Sequence, residues 1–107
     1  MTKWVWVSYD LGVDGDYEGM YAWLDNHAAK ECGDSVALVL LESHDDLVAE
    51  LKAELTRSVR LTPRSRIYAI YRGDDTKIKG TWLVGSRKQA PWTGYGSLKG
   101  EGATDEP

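Results

Sequence analysis

Along Trp4-Val5-Trp6-Val7-Ser8-Tyr9-Asp10-Leu11-Gly12, apolar side chains fill both alternating sets of positions. Alternation puts Trp4, Trp6 and Ser8 on one face of a strand, with Asp10 at its end, and Val5, Val7 and Tyr9 on the other. A strand half exposed to water needs only one apolar face, so the pattern predicts a strand covered on both sides. Asp10 closes it just before a Gly-rich, acidic turn over residues 12–16.

Periodicity then changes. Tyr17, Met20, Tyr21, Leu24 and Ala28 follow helical spacing and predict a helix over 17–27, with Asp16 as its N-cap and Trp23 and His27 beside the stripe. Residues 28–32 and 35–41 flank Gly33-Asp34, a pair suited to a hairpin turn, and 36–41 is apolar throughout, as in a central strand. Ser43 followed by Asp46 resembles a capping box; Leu47, Val48, Leu51 and Leu55 form the apolar stripe of a second helix ending near 57–58, with Glu50 and Glu54 toward solvent. Thr62-Pro63 breaks the chain. Residues 66–72 alternate as a strand, Gly73-Asp74-Asp75 turns it, and 77–84 follows as a further strand with Lys77 and Lys79 on one face.

The order strand, helix, strand, strand, helix, strand, strand predicts an α+β fold, a ferredoxin-like split βαβ sandwich with an additional C-terminal strand. Its 107 residues make one domain over 1–96, and from Ser97 the tail over 97–107 has too little apolar content to pack and is expected to be disordered. With two helices on one sheet face, the other face needs cover, which a homodimer packed sheet to sheet would provide.

Five Trp, six Tyr and no Phe fit interfaces as well as cores. The single Cys32 forms no intramolecular disulfide, no apolar run approaches a membrane span, and the first residues lack a secretory core, so a cytoplasmic location without membrane contact is expected. The net charge of −4 hides a polarity: residues 1–56 carry 3 basic and 12 acidic side chains, hence −9, and 57–99 carry 10 and 2, hence +8. The basic half would serve an anionic partner, RNA or DNA included, or would meet the acidic half within one chain or across a dimer.

Candidate chemistry centres on Asp10. A carboxylate at a strand end is a hard oxygen ligand of the kind that Mg²⁺ or Mn²⁺ takes, one or two at a time with water. The structural alternative is that Asp10 caps its turn through the following backbone N–H groups. Asp10, Asp14 and Asp16 lack the order of a calcium loop, and Cys32 with His27 does not make a nucleophilic pair by spacing alone. Arg57, Arg60, Arg64, Arg66, Arg87 and Lys88 form the basic run suited to phosphate, with Trp92 and Tyr95 able to stack on unpaired bases. The Trp92–Tyr95 motif can alternatively anchor the chain end against a sheet.

Tyr9-Asp10-Leu11, the element order through about Tyr71 and the helix beginning near Tyr17 resemble the Cas-two-like superfamily of small ferredoxin-like proteins, which includes virulence-associated protein D. Together with Trp92-Thr93-Gly94-Tyr95, they are more similar still to its SinR-like members. The resemblance implies a homodimer with facing sheets and, in nuclease members, an Asp at the position of Asp10 near the dimer axis, where the two Asp10 carboxylates would hold Mg²⁺ or Mn²⁺ for phosphodiester hydrolysis. The chain departs from it in the added strand near 76–85 and in Asp14 and Asp16, where many members are basic. Two functions are therefore expected as alternatives: a nucleic-acid-associated homodimer acting as a metal-dependent endoribonuclease, or a non-catalytic dimeric adaptor or toxin–antitoxin-like module that binds a protein partner.

Overall fold

Seven elements follow the predicted order: β1 (Thr2–Asp10), α1 (Tyr17–Asn26), β2 (Lys30–Glu31), β3 (Val36–Glu42), α2 (Leu47–Ser58), β4 (Arg66–Arg72) and β5 (Ile78–Val84). This computed structural model describes residues 1–96, so the tail expected over 97–107 lies outside the described residues. The strands form one five-stranded sheet in the order β2-β3-β1-β4-β5, every neighbouring pair antiparallel. The chain is thus a small α+β fold with β1 at the sheet centre, an arrangement compatible with the ferredoxin-like plan. No helix among the described residues is long and apolar enough to cross a membrane.

Local chemistry sets the boundaries. Asp16 caps α1, its Oδ1 accepting from the Gly19 N–H at 2.9 Å. Asp46 caps α2, accepting from the Ala49 N–H at 3.2 Å. Ser43, expected at that cap, is instead buried three residues earlier. Glu50 explains the shift: its carboxylate collects the His44, Asp45 and Asp46 N–H groups at 2.8–3.3 Å and folds the approach to the helix around itself. The β2–β3 loop is one residue longer than the Gly33-Asp34 turn predicted. The Cys32 N–H donates to the Val36 carbonyl at 3.0 Å, and Ser35 takes a left-handed φ of 66°.

One sheet face carries the core. Val5, Val7 and Tyr9 of β1 join Val39, Leu41, Ile67, Ala69 and Leu83 from the other strands, against Met20, Trp23 and Leu24 of α1 and Leu51 and Leu55 of α2. The opposite face holds Trp4 and Trp6, 46% and 41% exposed, beside Leu40 and Ile70. In this chain, then, β1 is covered on a single side, where the sequence pattern anticipates two.

Candidate functional site

The antiparallel register places Asp10, the last residue of β1, opposite Arg66, the first of β4. Both point to the open face. Asp10 Oδ2 accepts from Arg66 Nη2 at 3.4 Å, longer than a close charge-assisted bond of about 2.8 Å. Asp10 Oδ1 accepts from the Gly12 N–H at 3.2 Å, the turn-capping bond that an Asp two residues upstream makes readily. Gly12 itself has φ +82°, and a Cβ added there would lie 3.5 Å from Arg64 Cβ, so the Arg64 stem passes over this turn.

Arg66 is held on its other side by an aromatic pair. Its guanidinium lies 5.4 Å from the Trp82 ring centroid, within cation–π range. Tyr68 meets Trp82 edge to face at 4.9 Å. Trp82 Nε1 is buried beneath this packing without a hydrogen-bond partner among the described residues. Tyr68 can lie across β5 because residue 80 is Gly: a Cβ there would come within 2.3 Å of the Tyr68 Oη.

The topology brings the basic run to the same end of the sheet. Arg57 stands in the last turn of α2, Arg60 and Arg64 in the connection to β4, and Arg87 and Lys88 just beyond β5, whose closing Gly85 packs on Ser65 and Arg66. All but Arg66 are exposed, and among the described residues only Arg66 has a carboxylate partner. Acidic side chains cluster on the β1 side of this end. Asp16 joins the two, its Oδ2 accepting from the Arg60 N–H at 2.8 Å. That bond first, and the Gly19 N–H second, hold its carboxyl below the usual Asp range. Trp92 and Tyr95 sit in a turn closed by the Tyr95 N–H on the Trp92 carbonyl at 3.0 Å, both largely exposed and neither packed on the core.

Asp10 alone supplies one carboxylate, with a guanidinium already beside it. Among the described residues no three His, Cys, Asp or Glu side chains converge as metal ligands. One carboxylate with an adjoining guanidinium does not fit Mg²⁺ or Mn²⁺ within one chain.

The sequence also hides a cluster between the helices. Glu54, expected to face solvent, accepts from Trp23 Nε1 at 2.9 Å and lies 3.2 Å from His27 Nε2. His27 Nδ1 contacts the Trp23 carbonyl at 2.8 Å, which leaves Nε2 toward Glu54 of α2. The four-residue spacing of Trp23 and His27 was the visible signal; the facing register of α2 was not. Tyr9, buried against the edge of Tyr21 at 6.4 Å, has its phenol pushed above the ordinary value by burial first and by the neighbouring tyrosines second.

The chain matches no protein-family model, no curated protein and no solved structure.

Proposed function

We propose that the chain is a ferredoxin-like, Cas-two-like homodimer that associates with nucleic acid. The observation that carries the reading is the gathering of Arg57, Arg60, Arg64, Arg66, Arg87 and Lys88 at one end of the sheet, next to Asp10. Clustered, solvated cations attract a phosphate backbone and bind it in a salt-dependent way. The dimer rests on the open face. Trp4, Trp6, Leu40 and Ile70 form an apolar centre with Asp10 and Arg66 at its rim, the anatomy of a protein interface, and a two-fold packing of such faces would dry both.

Metal-dependent RNA cleavage is the stronger form of this reading. It requires the Asp10 carboxylates of two copies to meet and Arg66 to leave them. The Asp10–Arg66 pair favours a second reading, a non-catalytic adaptor or toxin–antitoxin-like module in which the same faces recruit protein.

Purified protein retained on heparin at low salt, and shifting RNA or DNA in a gel, is the expected result. Charge reversal at Arg64 and Arg87 should weaken both. Cleavage of mixed RNA with Mg²⁺ or Mn²⁺ that is lost in Asp10→Ala would support the nuclease form; binding without cleavage would support the adaptor. Absence of both binding and cleavage would end the nucleic-acid reading.

A further inference from the structure

A second site lies at the other end of the sheet. An open cleft of about 770 Å³ is bounded by the start of β1, the β3–α2 connection and the β4–β5 hairpin. That volume lies within the range of small-molecule sites, about 300–1,000 Å³. Leu47, Val48 and Tyr71 give it apolar lining, and Lys3 brings an ammonium to it.

Lys3 is unusually placed for a lysine. Alternation puts it on the covered face with Val5 and Val7, and its side chain is 20% exposed. A cation so far removed from water needs an anion. Its partner is Asp74 Oδ1 at 3.0 Å, from a carboxylate 97% exposed. A freely hydrated carboxylate gains little from such a contact, because its own ordering and desolvation offset the attraction.

Asp74 is also dispensable to the turn that carries it. The Gly73 N–H donates to the Lys77 carbonyl at 2.8 Å and the Thr76 N–H to the Gly73 carbonyl at 2.9 Å. Asp75 Oδ1 accepts from the Lys77 N–H at 3.1 Å. The hairpin therefore keeps its shape when the Asp74 side chain swings out. Lys79 also lines the cleft, paired with Asp75 at 3.4 Å. Asp45, Asp46 and Asp75 line the cleft as well; Asp46 is engaged by the Ala49 N–H and Asp75 by the Lys77 N–H and Lys79, so Lys3 is the cation whose only anion is a freely hydrated side chain.

We propose that this cleft binds a small ligand through a carboxylate or phosphate group seated on Lys3, and that Asp74 occupies the anion's place in the free protein. The ligand exchanges with Asp74 without unfolding the hairpin, and the apolar lining takes its body. This site is independent of the nucleic-acid reading, since it uses none of the same residues.

The test is a titration of ¹⁵N-labelled protein with acetate and, separately, inorganic phosphate, with sodium chloride at matched ionic strength as control. Saturable shifts at Lys3, Leu47, Tyr71 and Asp74 with either anion, but not chloride, are expected; the anion that saturates first identifies the group. Asp74→Asn removes the internal competitor and should tighten binding about two- to fivefold. Lys3→Met keeps the stem and the fold, verified by its spectrum, and should weaken binding about tenfold or more. Unsaturable shifts in both wild type and Asp74→Asn, equal shifts with chloride, unchanged affinity in Lys3→Met, or no tightening in Asp74→Asn would each overturn the proposal.

Discussion

The two faces of one strand have opposite surroundings. On β1, Val5 and Val7 are fully buried under the helices, while Trp4 and Trp6, a residue away, stand open to water. Both sets are apolar, so hydrophobicity alone does not decide which face receives the helices. Side-chain shape contributes. Small β-branched residues let helices approach the sheet closely, whereas indoles bring bulk and a polar N–H better suited to a face shared with water or a second molecule. Connectivity contributes too, because both crossovers return their helices to the same side. The covered face makes the core, and the open face leaves Trp4, Trp6, Leu40 and Ile70 exposed in the single chain.

The largest expected effect lies on the covered face. Leu55, with no exposed surface, packs in the core between α2 and the sheet, and Leu55→Ala should cost about 2–5 kcal/mol in urea unfolding, at every protein concentration. Trp6→Lys should act on association first and leave the subunit folded. If Trp6→Lys unfolded the isolated subunit as severely as Leu55→Ala, the contrast between the faces would be broken.

Gly80→Ala sharpens the comparison from the open side. The new methyl meets the Tyr68 ring, so Tyr68 must leave Trp82, at a cost of about 1–3 kcal/mol and with a changed near-ultraviolet circular dichroism signal. Wild-type stability and spectrum in this variant would argue against the packed Tyr68–Trp82 pair. Glu54→Ala probes the polar seam behind the covered face. It strands the buried Trp23 indole N–H and should cost about 1–3 kcal/mol, with altered Trp fluorescence.

The smallest effect concerns pH. The Asp16 carboxyl sits below its usual value, so its ionised form contributes stability above the ordinary Asp value of about 3.9, and that contribution is lost as pH falls through the lowered pKa. Asp16→Asn removes the titration. The gap in Tm between wild type and Asp16→Asn should be widest near neutral pH and close in acid; a gap constant down to acid pH would contradict this role.

Much of this organisation was legible in the residues. The two-sided pattern at 4–9, the helical spacing of Leu47, Leu51 and Leu55, and the capping Asp16 each report local rules, and the elements lie where those rules put them. Most of what stayed hidden joins residues far apart along the chain. Glu54 reads as a solvent residue until the two helices face each other, and Arg66 reads as one more cation until the register sets it opposite Asp10. Glu50 gathers three backbone N–H groups that no spacing rule assigns to it, which moved the α2 cap from Ser43 to Asp46. The site is thus less legible than the fold, because it is built from pairs whose members lie far apart in sequence.

The central claim is that the open face of the sheet is covered by a second copy. Light scattering on a sizing column, run on wild type and Trp6→Lys across a concentration series, tests it most directly. The account predicts a wild-type mass twice the 12.0 kDa of one chain, falling to the single-chain mass in a folded Trp6→Lys. A wild-type protein that stays at 12.0 kDa at the highest concentration, or a Trp6→Lys variant that stays dimeric, would contradict it.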